Sequence, residues 1–104
     1  MSRVEITELA QADLLEAWSY IAIENMGAAD HVLDVIAKEA DSLSWQPLMG
    51  RARPELFDGL RYWPTSVAYN LYYLPSDSGI VVIRILHQSR DVQSSEFLGL
   101  QERH

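Results

Sequence analysis

Apolar positions change their period along this chain, and the changes mark its elements. Val4 and Ile6 alternate with Arg3 and Glu5, which predicts a short strand. Thr7 then offers a side-chain oxygen as a helix N-cap, and Glu8 sits where a helix N-terminus favours negative charge. Leu14, Leu15, Trp18, Ile21 and Ala22 follow at helical spacing, and Gly27 reads as a left-handed terminator. A second helix is predicted from Ala29, Leu33, Ile36, Ala40 and Leu43, ending before Pro47. Two helices, near 8–26 and 28–44, joined by so short a link form an antiparallel hairpin.

Residues 47–58 hold two prolines and a glycine among charges and read as a surface loop. The period then becomes that of strands. Leu60–Trp63 is a short candidate that ends at Pro64. Val67, Tyr69, Leu71 and Tyr73 share one face of a strand near 66–74, with Ala68, Asn70 and Tyr72 on the other. Pro75-Ser76-Asp77-Ser78-Gly79 is a turn, and the nearly continuous apolar run from Ile80 to Leu86 predicts a strand near 80–87 covered on both faces. A last short helix is expected within 92–100. The order β-α-α-β-β-β predicts an α+β fold, with a helical hairpin packed on a small antiparallel sheet. Its expected core is Leu15, Trp18, Ile21, Leu33, Ile36, Leu71, Ile83 and Ile85.

Length and composition narrow the class. At 104 residues and 48% hydrophobic, residues 1–104 are expected to form one domain. The chain has no cysteine, which excludes thiolate catalysis, disulfides and cysteine-ligated metals. No signal-like or membrane-length apolar run is present, so a cytoplasmic location and no membrane partner are expected. The net charge of −7 is uneven: residues 1–45 carry nine acids against Arg3 and Lys38, whereas 46–104 balance six acids with six arginines. Such a surface disfavours indiscriminate binding to nucleic acid, which rewards many phosphate contacts, and no sequence-specific nucleic-acid binding is expected.

Several segments together resemble the ParE branch of the ParE/RelE toxin superfamily, also called plasmid-stabilisation proteins. They are Ala10-x-x-Asp13-Leu14 with Tyr20-Ile21, Pro47-Leu48-Met49-Gly50-Arg51, Glu55-Leu56 through Gly59-Leu60-Arg61, Tyr69-x-Leu71-x-Tyr73, and Ile83-Arg84-Ile85-Leu86-His87 with Arg90-Asp91. The resemblance runs from about residue 3 to residue 91. It implies the toxin of a type II toxin–antitoxin system, neutralised by a cognate antitoxin that is usually encoded beside it. ParE-like members poison DNA gyrase without catalysis, whereas RelE-like members are ribosome-dependent mRNA endonucleases, and the shared fold does not choose between them. A third reading is an inactive relative that only binds its antitoxin. The sequence departs from the family pattern at Asn70 and Leu74, where basic residues are common.

The candidate chemistry divides along the same line. A ribonuclease would need a proton donor and acceptor plus phosphate-binding cations, and the candidates are His87 with Arg61, Arg84 and Arg90. A histidine closing an apolar strand more often packs or caps, and Arg84 could instead pair with a helix carboxylate. A protein-binding toxin would use Arg51, Arg53 and Arg61 around the loop, with Trp63 as an aromatic anchor, since arginine and aromatics dominate interface hot spots. Trp18, Trp45 and Trp63 are expected in or at the edge of the core, with Trp63, beside Pro64 and the arginine loop, also weighed as that anchor. Asp30, His31 and Asp34 share a helix face, but such a polar face is ordinarily solvated, so no metal and no cofactor are expected. Ser89, His87 and Asp91 lie too close in sequence for a nucleophilic triad.

Overall fold

The computed structural model describes residues 2–97. Its order is β1 (Arg3–Ile6), α1 (Glu8–Ala22), α2 (Met26–Trp45), β2 (Arg51–Ala52), β3 (Arg61–Pro64), β4 (Tyr69–Ser76), β5 (Gly79–His87) and a 3₁₀ turn at Ser94–Phe97. Two helices pack on a five-stranded sheet ordered β1-β5-β4-β3-β2. The architecture is α+β, as expected, but the sheet is mixed rather than antiparallel: β1 runs parallel to β5, with Arg3 opposite Gly79. A four-residue strand does not announce a partner more than seventy positions away. Gly79 makes that pairing possible, because with φ near +153° a Cβ there would collide with the Arg3 carbonyl oxygen.

Thr7 caps α1 by accepting from Ala10 N at 3.2 Å, and its hydroxyl also donates to the Ile83 carbonyl. The helix stops at Ala22, earlier than Gly27 suggested. Asn25, not Gly27, governs the junction: its side chain accepts from Ala28 N at 2.9 Å and caps α2, so Gly27 falls inside the second helix.

The face of α1 that meets the sheet carries Ala10, Asp13 and Ala17, with Leu14 and Ile21 packed beside them. Leu15, two residues past Asp13 and therefore about 200° around the helix, points outward and is 65% exposed, contrary to its expected core role. Trp18 and Leu33 are only half-buried, and the Trp18 indole N–H donates to Asp30 across the helical hairpin. Ile36, Leu71 and Ile85 do join the core between helices and sheet.

The other sheet face is also covered. Leu56, Leu60 and Phe97 lie over Tyr72, Ile83 and Leu86, which explains why β5 is apolar on both sides. The segment expected as a surface loop therefore contributes a buried leucine and also forms edge strand β2. The predicted turn at 75–79 is tighter than expected, since β4 continues through Pro75 and Ser76. Of the expected last helix, 92–97 contains the 3₁₀ turn, and 98–100 lie outside the described residues.

Candidate functional site

The β4–β5 register skips Ile83, pairing Tyr72 with Arg84 and Tyr73 with Val82. This bulge lies beyond the last β1 pair, Ile6 with Val82, where no further strand pairs with the outer edge of β5 among the described residues. Asp13 fills that edge from α1. Its carboxylate accepts from Arg84 through both oxygens, at 2.8 and 3.0 Å, and from Ile85 N at 2.9 Å. Arg84 also donates to Glu96 at 2.9 Å, and Glu96 accepts from Arg90 at 2.6 Å. Asp13 and Arg84 are both buried. The Arg84 guanidinium is held above its ordinary pKa, first by its hydrogen bond to Asp13, with burial opposing. Arg84 thus joins α1, β5 and the 3₁₀ turn, and its hydrogen-bonding capacity is largely spent.

His87 ends β5 at the mouth of a cleft of about 350 Å³ between α1 and the sheet, shared with Tyr20, Tyr69 and Arg90. Its ring stands perpendicular to Tyr69 at 5.2 Å, and Nδ1 accepts from Ser89 N at 3.1 Å. Arg61 lies elsewhere: it is opposite Tyr73, whereas His87 is opposite Tyr69. Four residues along and two strands across separate their backbones by roughly 16 Å. Of the four residues considered for RNA cleavage, the structure brings His87 and Arg90 to one cleft. It leaves Arg84 in its ion pairs and places Arg61 at a distance.

Arg61 serves the corner between α2 and β2. It donates to the carbonyls of Leu48 and Gly50, at 3.1 and 2.6 Å. The buried Tyr73 hydroxyl donates to the Pro47 carbonyl at 2.7 Å and accepts from Gly50 N at 2.9 Å. A Cβ on Gly50 would strike the Tyr73 hydroxyl and come within 2.8 Å of the Tyr62 carbonyl oxygen. Burial pushes the Tyr73 phenol upward in pKa, partly offset by Gly50 N and the Arg61 charge. The Pro47–Arg51 segment is therefore a fixed corner.

That corner presents Trp45, Leu48 and Met49, exposed by 66%, 68% and 42%, next to exposed Arg51. Among the described residues Arg51 makes no side-chain hydrogen bond or ion pair. Arg53, by contrast, pairs with Glu55 and lies 5.3 Å over the Tyr62 ring. Trp63 packs against the helix layer, and its N–H donates to Glu39 at 2.9 Å. The exposed tryptophan is Trp45, which was expected in or near the core. The sequence signal for this patch is Leu48-Met49, a pair of large apolar residues between Pro47 and Gly50. Among the described residues no group of three or more His, Asp or Glu side chains is placed to hold a metal, and no helix is long and apolar enough to cross a membrane.

Comparison with known proteins gives a family. No curated protein sequence matches the chain. A solved structure of the chromosomal ParDE TA system from P. aeruginosa shares its fold with a TM-score of 0.69 at 20% identity, covering 84% of this chain and 96% of that one. The family model for the ParE toxin of the type II toxin–antitoxin system parDE matches residues 4–92. Since that match takes in both helices and, but for Arg3, all five strands, the chain belongs to the ParE toxin family of type II toxin–antitoxin systems.

Proposed function

We propose that this protein is a toxin that poisons DNA gyrase through a protein-binding surface, acts in the cytoplasm, and is held inactive by a cognate antitoxin. The observation that carries the reading is the rigid corner at 45–51. Trp45, Leu48 and Met49 are exposed along one short segment with Arg51, and tryptophan, methionine and arginine are residue types that interfaces favour. The net charge of −7 further disfavours capture by ribosomal RNA, a polyanion that rewards basic surfaces. Arg61 supports the corner through the Leu48 and Gly50 carbonyls, Arg53 and Trp63 are engaged with Glu55 and Glu39, and Arg51 makes the direct contact with the target.

Induced expression without antitoxin tests the proposal. The expected result is gyrase-linked DNA breaks and filamentous cells with mRNA largely intact. His87→Ala should retain toxicity, whereas Arg51→Glu, at an exposed position, should lower it without unfolding the protein. Codon-positioned mRNA cuts that disappear with His87→Ala would overturn the proposal in favour of a ribonuclease.

A further inference from the structure

The cleft beside His87 has an electrostatic character that the gyrase reading does not use. Three rings, Tyr20, Tyr69 and His87, line it together with the Glu16 carboxylate. Tyr69 and His87 form a right-angled corner, and Tyr20 on α1 is 75% exposed. The other charges around the cleft are already engaged. Asp13 is saturated by Arg84 and Ile85 N, and Arg90 is drawn to Glu96. Among the described residues Glu16 makes no side-chain hydrogen bond or ion pair. The Tyr69 hydroxyl is held above its ordinary pKa, by burial first and then by the nearby Tyr20 and Glu16. Aromatic faces attract cations, and a nearby carboxylate supplies the matching charge.

Size and long-range field restrict the occupant. A volume of about 350 Å³ suits one long side chain rather than a helix. The chain bordering the cleft on the helical side, residues 1–45, carries a net charge of −7, which steers a basic partner segment toward it. We infer that this cleft receives the side chain of an arginine presented by the antitoxin, its guanidinium against the Tyr20, Tyr69 and His87 rings and paired with Glu16. Arginine fits better than lysine because its planar, weakly hydrated guanidinium can stack and bridge a carboxylate at once. The inference rests on the antitoxin reading for the source of the arginine, but not on gyrase as the target.

Two measurements separate the cleft's chemistry from the identity of its occupant. In the first, N-acetylarginine methylamide is titrated into the free protein while the Tyr20, Tyr69 and His87 ring resonances are followed by NMR, with the citrulline analogue as the uncharged control. Saturable shifts with the arginine probe are expected, about fivefold or more weaker with citrulline and in Glu16→Gln. Equal responses to the two probes, or none, overturn the inference. In the second, affinity for the antitoxin encoded beside the toxin is measured by calorimetry. Glu16→Lys should weaken it about tenfold or more, and the complex should no longer respond to the arginine probe. A complex of undiminished affinity, or one whose rings still respond to the probe, overturns the antitoxin as occupant. Failure of the wild-type protein to bind the antitoxin at all would instead sink the antitoxin reading, while the probe titration still reports on the cleft.

Discussion

Replacing Asp13 by alanine should be among the most damaging single changes on α1. Asp13 is 9% exposed and makes three hydrogen bonds of 2.8–3.0 Å, two from Arg84 and one from Ile85 N. Alanine leaves the buried guanidinium with Glu96 alone and strands a backbone N–H at the edge of β5. Breaking a buried pair by removing one partner costs about 3–5 kcal/mol. An unpaired buried donor contributes on the order of 1–3 kcal/mol of such a loss. Set against the roughly 5–15 kcal/mol that holds a typical domain folded, Asp13→Ala should bring this protein close to unfolding. Asp13→Asn should fall between, because its carbonyl can still serve one of the donors. The double variant Asp13→Leu/Arg84→Met should be more stable than Asp13→Ala, since an apolar pair leaves no buried charge behind. Urea unfolding followed by tryptophan fluorescence and far-UV circular dichroism gives each value. A loss below about 1 kcal/mol for Asp13→Ala, at unchanged denaturant slope, would refute the assignment of Asp13 as the edge-filling partner of Arg84.

Two smaller effects follow from the turn between β3 and β4. Glu39 accepts from Trp63 Nε1, Ser66 N and Ser66 Oγ. Burial raises its pKa, but these hydrogen bonds outweigh burial and leave it below the ordinary 4.5. A depressed carboxylate stabilises the fold above its unfolded pKa and loses that contribution as pH falls through the folded value. Stability should therefore decline below about pH 4.5, with a change in Trp63 emission; Glu39→Gln should flatten this dependence, and an identical acid profile would refute the coupling. Ala68 holds φ near +71°, a left-handed conformation costly for residues with a Cβ. Ala68→Gly should raise stability by up to about 1 kcal/mol in thermal or urea unfolding, whereas a loss would mean the alanine methyl is needed there.

Apart from the two-residue β2, the order of the helices and strands was legible in the sequence because each has its own period. Helical spacing marked α1 and α2, alternation marked β4, and the two-sided apolar run of β5 foretold cover on both faces. Pairing and rotation were not legible. The parallel β1–β5 contact depends on a residue seventy-six positions distant, and the outward turn of Leu15 on the small residues and Asp13 that let α1 approach the sheet. Gly27 does not end a helix because Asn25, two residues earlier, offers the stronger cap. The candidate site was legible only by residue type. Counting arginines picked out Arg51, Arg53 and Arg61, but it could not show that Arg53 and Arg61 are engaged internally while Arg51 makes no side-chain hydrogen bond or ion pair among the described residues. Nor could it show that Trp45, rather than Trp63, is the exposed tryptophan. The cleft joins Glu16 and Tyr20 of α1 with Tyr69 and His87 of the sheet, a combination that exists only after folding.

The proposed action on gyrase can be followed with purified components. The protein is added to gyrase and relaxed plasmid DNA, and in parallel to translating ribosomes. Inhibition of supercoiling with accumulation of cleaved DNA, retained by His87→Ala, weakened by Arg51→Glu and reversed by the antitoxin, is the predicted result. Undisturbed supercoiling together with cut mRNA on the ribosomes would contradict it.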